Sequence, residues 1–275
     1  MRFAFFGGGD FSVKVLDILY QNSFVPELIV TTPDKPKGRK LVLTPPPAKI
    51  WAEKNKIKHT TDYSLLTADY SLFIIAAFGK IIPKEILDIP KYGTLNIHPS
   101  LLPKYRGPSP IQSFILSGEN ETGVTIMLTD EQVDHGPIIA QQKFSIFNFQ
   151  FSNYKELEEK LAELGGKMLV ETIPKFINGK IKQQEQDHSQ ATFTKKITKQ
   201  DGLIDLEKES PEIIERKIRA FTPWPGAYFF VNRKRLIITK AELTDSGLKI
   251  KRVKPEGKKE MSFKDYLRGN PNLSC

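Results

Sequence analysis

The sequence has almost no cysteine and no long apolar run. Its one cysteine among 275 residues, Cys275, excludes an intrachain disulfide and a cysteine metal cage, and it suits a reducing, cytoplasmic compartment. The longest unbroken apolar run, Leu72–Phe78, is far shorter than the roughly 20 residues that span a bilayer. Met1–Phe6 is apolar but meets three glycines and Asp10 at once, which argues against a signal peptide. We therefore expect a soluble intracellular protein that does not associate with membranes.

The charge is unevenly distributed along the chain. The formal net charge is +9, and hydrophobic residues make up 39% of the sequence, enough to bury a core. Residues 1–185 hold 22 basic and 20 acidic side chains, whereas residues 186–275 hold 19 and 12. This step predicts two domains, of which the smaller faces an anionic partner such as tRNA, other RNA, DNA or a membrane surface. The alternative is a solvated, lysine-rich surface.

The first part of the chain alternates predicted strands with predicted helices. Such alternation is typical of an open, largely parallel sheet covered by helices on both faces. The pattern predicts strands at Arg2–Phe6, Glu27–Thr31, Leu72–Ala76, Thr94–His98, Val124–Leu128 and Ile138–Phe144, and helices at Phe11–Tyr20, Ala48–Asn55, Pro108–Leu116 and Tyr154–Ile177. The proline-rich, basic stretch Thr32–Pro47 is predicted to be an extended loop rather than a strand or helix.

The last third of the chain has a different pattern. Gln183–Lys199 is polar and lacks periodicity, which indicates a linker or an extended covering segment. Beyond it, short runs broken by Gly and Pro predict a small barrel. These runs are strands at Leu203–Leu206, Tyr228–Val231, Leu236–Leu243 and Leu248–Val253, with a helix at Pro211–Phe221. We therefore predict a large α/β domain over 1–182, a linker over 183–200 and a smaller domain over 201–275.

Two polar side chains stand at the end of one predicted strand. In a strand, Asn96 and His98 point to the same face, and the carboxyl ends of strands are where open α/β sheets place their ligands. An amide that donates to an oxyanion, beside an imidazole that takes a proton, suits a reaction at a carbonyl group attacked by an amine. The alternative is a capped strand end with a histidine that serves only the structure.

Asp134 follows in a loop between two later strands. A carboxylate in this place can orient His98 and stabilise its cation, although Asp before His-Gly is equally typical of an ordinary turn. Spacing alone does not bring Asp134 to His98. His135 is the obvious rival for a catalytic role, ahead of His59 and His188.

Two further motifs are less specific. Gly7-Gly8-Gly9 resembles a phosphate-binding turn, or it merely permits a tight step from strand to helix. The cationic loop Lys35–Lys40 has the composition to reach across a phosphate backbone, or it is a solvated turn.

Together, these segments resemble the methionyl-tRNA formyltransferase family. The most specific match is Asn96-Ile97-His98-Pro99-Ser100-Leu101-Leu102-Pro103-Lys104-Tyr105-Arg106-Gly107-Pro108, followed by Glu121-Thr122-Gly123-Val124-Thr125 and Asp134-His135-Gly136. This arrangement is shared by enzymes that use 10-formyltetrahydrofolate, including glycinamide ribonucleotide and sugar-nucleotide formyltransferases. Two matches select the tRNA enzymes: the basic stretch Thr32–Pro47, and Ile218–Ala227 taken together with Lys254–Lys259.

The resemblance implies a fold and a set of site residues. The fold is a Rossmann-like formyltransferase domain with a smaller, shortened OB-like β-barrel domain. Asn96, His98 and Asp134 correspond to the catalytic set, and no metal is required. The loop Ser100, Leu101, Leu102 and Pro103 corresponds to the folate contact, and Phe78 and Gly79 flank the same pocket. Lys35, Lys37, Arg39 and Lys40 correspond to the tRNA-binding insertion.

The resemblance also implies the reaction. We expect formyl transfer from 10-formyltetrahydrofolate to the free amine of methionine on initiator tRNA, by a monomer. Two alternatives stay open: a formyltransferase acting on the amine of a sugar nucleotide, and a non-catalytic RNA-binding protein on the same scaffold.

Overall fold

The computed structural model describes residues 1–38, 41–146 and 151–270. Two of the predicted tRNA-binding residues, Arg39 and Lys40, therefore lie outside the described residues. The chain divides into two compact units that interleave along the sequence. The first contains residues 1–108, 121–145 and 158–194, and the second contains 109–120, 146–157 and 195–275. The boundaries that we predict from the sequence, at residues 182 and 200, stay a prediction.

The first unit is built on a seven-stranded sheet with the order β5-β2-β1-β6-β7-β8-β9. The first five of these strands run parallel to one another, and β8 is antiparallel to both β7 and β9. The strands are β1 (Phe3–Gly7), β2 (Leu28–Val30), β5 (Lys58–Thr60), β6 (Leu72–Ala76), β7 (Thr94–His98), β8 (Glu121–Leu128) and β9 (Ile138–Ser145). A parallel core with an antiparallel edge confirms the predicted α/β class.

The central strands are buried on both faces. Every residue of β1 is buried, because a parallel strand covered by helices on both sides has no solvent face. The helices in this part of the sequence are α1 (Asp10–Gln21), α2 (Pro47–Lys54), α3 (Lys84–Leu87) and α5 (Tyr154–Ile177). At Gly165 of α5 a Cβ would lie 2.6 Å from Cγ2 of Ile97, so this glycine lets the helix approach the strand that carries the candidate site.

The structure corrects the prediction that Thr32–Pro47 is only a loop. Two short strands, β3 (Lys35–Lys37) and β4 (Val42–Thr44), form an antiparallel hairpin within this stretch. Proline lacks an amide hydrogen and is tolerated in a two-stranded ribbon, where one edge of each strand needs no partner. Prolines therefore concealed the hairpin from the sequence pattern.

The second unit carries a separate four-stranded antiparallel sheet, ordered β10-β11-β12-β13. Its strands are β10 (Ala227–Val231), β11 (Lys234–Thr244), β12 (Gly247–Pro255) and β13 (Met261–Ser262), accompanied by α4 (Pro110–Ser117), α6 (Pro211–Ala220) and α7 (Phe263–Arg268). Apolar side chains of α6, including Ile214 and Ile218, pack with Phe229, Leu236 and Val253 of the sheet. The predicted strand at Leu203–Leu206 is wrong: only an isolated bridge from Leu203 to Tyr228 forms there.

Candidate active site

Asn96 and His98 lie at the carboxyl end of β7, as predicted. β7 pairs with β6 on one side and with β8 on the other, so its backbone is held along both edges. His98 is 4% exposed, and Asn96 is half-buried on the same face of the strand. A buried imidazole therefore lies next to an amide that solvent still reaches.

The structure brings Asp134 to both residues. Oδ1 of Asp134 accepts a hydrogen bond of 3.1 Å from Nδ2 of Asn96, and Oδ2 accepts one of 2.7 Å from the backbone N–H of Gly107. The same Oδ2 lies 3.6 Å from Nδ1 of His98. Asp134 has φ = 50°, a left-handed conformation that aspartate tolerates better than most residues. The loop that the sequence left ambiguous thus places its carboxylate between the amide and the imidazole.

The hydrogen bonding of His98 distinguishes its two ring nitrogens. Nε2 lies 2.9 Å from the backbone carbonyl of Tyr105. A carbonyl oxygen only accepts, so Nε2 carries a hydrogen and donates it. In the neutral imidazole the lone pair is then on Nδ1, the nitrogen that faces Asp134.

The loop of Ser100 to Pro103 is tied to β8 through one hydroxyl group. Oγ1 of Thr125 donates to the Ser100 carbonyl at 2.7 Å and accepts from the Leu102 N–H at 3.1 Å. Nε2 of Gln141, on β9, donates to Oγ1 of Thr125 and to the Leu102 carbonyl, both at 2.9 Å. Oγ of Ser100 donates inward to the Lys104 carbonyl at 2.7 Å. These hydrogen bonds therefore hold the backbone of the predicted folate loop in one conformation.

The other predicted binding residues lie in different places of the first unit. The Phe78 ring is 4% exposed and packs edge-on against Phe6 in the core, which leaves only its backbone for a ligand. Gly79 has φ = 72° and open space around its Cα. Lys35 and Lys37 are exposed on the β3–β4 hairpin. Among the described residues, no hydrogen bond joins Lys35 or Lys37 to Asp134.

The rival histidines contact residues other than Asp134. Nδ1 of His135 lies 2.7 Å from Oδ2 of Asp130, and its ring stacks on that of His188 with centroids 4.0 Å apart. His59 lies 3.4 Å from Glu53 by the edge strand β5. Of the four histidines, His98 is the one that faces Asp134.

Sequence reasoning missed two buried residues next to this site. Gln186 and Arg106 are 5% and 3% exposed, and Gln186 donates to the backbone carbonyls of Asp134 and Gly136. Arg106 lies inside the quoted motif, but nothing in its spacing shows where its side chain goes. Gln186 lies in the polar segment for which the sequence predicts a linker or a covering segment. The structure supports the second description, because Gln184 pairs with Ile138 and Phe193 with Arg106.

The described ranges contain neither a membrane-spanning helix nor a cluster of metal ligands. No helix formed by these residues is long and apolar enough to cross a membrane. No group of three or more His, Cys, Asp or Glu side chains there has an arrangement that would hold a metal ion.

Comparison with protein families decides the affiliation of the chain. The formyl transferase model matches residues 1–173, and the model for the formyl transferase C-terminal domain matches residues 196–247. The chain belongs to the formyl transferase family. The matched N-terminal region contains Asn96, His98 and Asp134.

Relatives of this formyl transferase match along nearly the whole chain. The methionyl-tRNA formyltransferase of Halalkalibacterium halodurans is 39% identical over 303 positions, covering 98% of this chain and 95% of the relative. That of Bacillus subtilis is 37% identical over 302 positions, covering 98% and 94%. Both alignments are longer than the 275 residues of this chain, so the relatives carry segments that it lacks.

Solved structures share the fold at lower identity. The methionyl-tRNA formyltransferase from Clostridium thermocellum has a TM-score of 0.62 at 16% identity and covers 93% of this chain and 98% of that one. The N-formyltransferase from Helicobacter canadensis, in complex with folinic acid and dTDP-3-aminofucose, has a TM-score of 0.65 at 21% identity and covers 89% and 88%. These likenesses establish the fold and no substrate.

Proposed function

We propose that this formyl transferase moves the formyl group of 10-formyltetrahydrofolate to the amino group of methionine on initiator methionyl-tRNA, for translation initiation. The observation that carries the proposal is the junction of Asn96, His98 and Asp134, in a chain similar over 98% of its length to methionyl-tRNA formyltransferases. We further propose that it works in the cytoplasm, as a monomer, without membrane contact.

The hydrogen-bonding groups of the site suit the transfer of an acyl group to an amine. When bound, the folate supplies a formyl group on a nitrogen that serves as the leaving group. Nδ2 of Asn96 has two hydrogens, one of which goes to Asp134. The second is suited to stabilise negative charge that builds on the formyl oxygen. The backbone of Ser100–Pro103, held by Thr125, would position the donor.

His98 handles the proton. The acceptor nitrogen bonds to the formyl carbon, the bond from that carbon to the donor nitrogen breaks, and the acceptor amine loses one proton. Because Nε2 of His98 donates to the Tyr105 carbonyl, Nδ1 is the ring nitrogen that can take this proton. The Asp134 carboxylate, 3.6 Å from Nδ1, stabilises the cation that results. The proton then returns to the leaving nitrogen.

A formylation assay with three acceptors tests the assignment. Methionyl initiator tRNA, methionyl elongator tRNA and an amino-sugar nucleotide are each supplied with the same folate donor. We expect product with the initiator tRNA at a kcat/KM far above that for the other two. Product on the sugar nucleotide alone would instead support the sugar-nucleotide reaction, and tRNA binding without any product would support the non-catalytic alternative.

The cationic hairpin is proposed to bind the tRNA backbone. Lys35 and Lys37 are exposed, and with Arg39 and Lys40 they give this short stretch four positive charges. Phosphate contacts of this kind position a nucleic acid without reading its sequence.

A further inference from the structure

The side-chain amide of Gln186 joins Arg106 to the loop of Asp134. Its Oε1 accepts from Nε and Nη2 of Arg106, at 3.2 and 2.6 Å. Its Nε2 donates to the carbonyls of Asp134 and Gly136, at 3.0 and 2.7 Å. All of these partners are held in the first unit of the fold.

The partners of Gln186 require an amide. A guanidinium has donors and no acceptor, and a backbone carbonyl has no donor, so the oxygen of Gln186 must face Arg106 and the nitrogen must face the loop. A carboxylate at this position would satisfy Arg106 but place negative charge against two carbonyl oxygens. An apolar side chain would satisfy neither side. The interaction therefore discriminates between glutamine and its closest isosteres.

Arg106 anchors the other end of this connection. Nη2 of Arg106 also donates to Nδ1 of His188 at 2.8 Å. Its backbone N–H donates to the Thr192 carbonyl at 2.8 Å, and its carbonyl accepts from the Thr194 N–H at 2.7 Å. Burial lowers the pKa of the Arg106 guanidinium from its usual value, while the charges of Asp134 and Asp130 act in the opposite direction. The guanidinium is thus a fixed donor to which the loop of Asp134 is tied.

The position of the Asp134 carboxylate depends on this loop. Asp134 has a left-handed backbone, and its side chain must reach Asn96, His98 and the N–H of Gly107 at once. The two hydrogen bonds from Gln186 hold the carbonyls on either side of His135. Misplacement by about 1 Å costs up to 100-fold in rate when a catalytic geometry is exacting.

We propose that Gln186 is a positioning residue for formyl transfer, which acts by fixing the Asp134 loop through Arg106 rather than by touching substrate. This proposal rests on the proposed function. It concerns catalysis and not folate affinity, because the side-chain hydrogen bonds of Gln186 go to Arg106 and the 134–136 loop and not to Ser100–Pro103.

The first test compares Gln186→Met with Gln184→Met. Gln184 is exposed and belongs to the same segment, so its variant controls for the change in chemistry. For Gln186→Met we expect kcat to fall about 10- to 100-fold, with KM for methionyl-tRNA and Kd for the folate donor within about threefold of wild type. Gln184→Met is expected to match wild type. A wild-type kcat in folded Gln186→Met would overturn the proposal.

The second test reads the loop directly, without turnover. The Gly107 N–H donates to Oδ2 of Asp134, so its hydrogen exchange, followed by NMR, reports whether the carboxylate is in place. We expect faster exchange at Gly107 in Gln186→Met. Trp51→Phe, which removes the hydrogen bond from Nε1 of Trp51 to Asp17, loses stability at another place and should leave Gly107 protected. Unchanged exchange in Gln186→Met would contradict the proposal.

The third test asks whether Gln186 acts through Asp134. If it does, Gln186→Met lowers kcat much less in an Asp134→Asn background than in wild type; full multiplication of the two effects would refute the idea. Gln186→Glu keeps the acceptor for Arg106 and loses both donors, so it decides the question should Gln186→Met fail to fold, with the same fall in kcat expected. An inactive wild type would reject the proposed function itself, whereas an active wild type with fully active variants rejects only the role of Gln186.

Discussion

Asn96 and His98 divide the work of the proposed reaction between an amide and an imidazole. We expect Asn96→Ala to lower kcat by about 10²- to 10³-fold, because it removes a donor aimed at developing negative charge. His98→Ala is expected to lower kcat by about 10²- to 10⁴-fold, because it removes the group that takes the proton. Steady-state kinetics with methionyl initiator tRNA measure both.

A histidine outside the site provides the control for these variants. His59 contacts Glu53 by the sheet edge, so His59→Ala should retain wild-type kinetics. Circular dichroism establishes that each variant is folded. A folded His98→Ala protein with near-normal turnover would show that the imidazole is not catalytic.

Among elements, the loop of Ser100 to Pro103 depends on the strand beneath it. Thr125→Val removes the hydroxyl that bonds Ser100 and Leu102, and each buried group left without a partner costs about 1–3 kcal/mol. We expect a lower free energy of unfolding and a weaker Kd for the folate donor, measured by titration calorimetry.

Thr122→Val makes the same change on the same strand, outside this hydrogen-bond set. Thr122 is buried too, so the loss of a hydroxyl from β8 is matched. If both variants weaken folate binding equally, the loop is not held by Thr125 in the way that the geometry indicates.

A turn in the second unit predicts sensitivity to acid. Hydrogen bonds from the N–H and hydroxyl of Thr198, together with Lys195, lower the pKa of Asp201 to about 2. An unfolded aspartate has a pKa of about 3.9. The carboxylate therefore contributes stability above about pH 4, and this contribution is lost as the pH falls toward about 2.

Asp201→Asn should remove that contribution. We expect the variant to be less stable than wild type at about pH 5 and the difference to shrink at about pH 2.5, as measured by urea denaturation. Asp245→Asn, a carboxylate outside this turn, is the control. A difference that stays constant across this pH range would mean that Asp201 contributes nothing through its charge.

The sequence predicts best those strands and helices whose pattern lies within one continuous stretch of residues. The predicted strands Leu72–Ala76 and Thr94–His98 and the helix Tyr154–Ile177 have the observed bounds, because continuous apolar runs and long helical periodicity are local signals. The β3–β4 hairpin lacks such a signal. β5 is three residues long and poor in apolar side chains, and its pairing with β2 depends on tertiary contact.

The residues of the site also differ in whether a local sequence pattern predicts them. The strand period alone places Asn96 and His98 together, and the family resemblance adds Asp134. Gln186 lies 52 residues beyond Asp134 in sequence, in a segment without periodicity. Its role depends on hydrogen-bond partners that only the folded chain brings together, so no local pattern predicts it.

At the scale of the whole molecule, we expect the positive charge of the protein to affect binding of methionyl-tRNA much more than binding of the folate donor. The net charge is +9, and residues 186–275 hold 19 basic against 12 acidic side chains. We expect KM for methionyl-tRNA to rise steeply between about 50 and 200 mM salt, since cations on the protein displace counterions from phosphate. KM for the folate donor should change much less.

Neutralising the hairpin tests which charges are responsible. The double variant Lys35→Gln, Lys37→Gln should flatten the logarithmic salt slope by about 0.7–0.9 for each phosphate that no longer meets a lysine. Lys175 and Lys180 are exposed lysines near the end of α5, and their double variant to Gln removes the same charge. Equal flattening in both would mean that net charge, and not the hairpin, governs tRNA binding.

The segment that crosses the site also determines when the site can form. Asn96, His98 and Asp134 leave the ribosome well before Gln186 and Thr192, whose hydrogen bonds hold Arg106 and the loop of Asp134. Synthesis proceeds from the amino terminus, and contacts between distant residues form late because their loop entropy must first be overcome. A nascent chain that ends before residue 186 therefore contains Asn96, His98, Asp134 and the Gly107 N–H, but it lacks the two hydrogen bonds from Gln186 to the loop of Asp134. We therefore expect these hydrogen bonds to form late, when the segment of Gln186 pairs with residues synthesised much earlier.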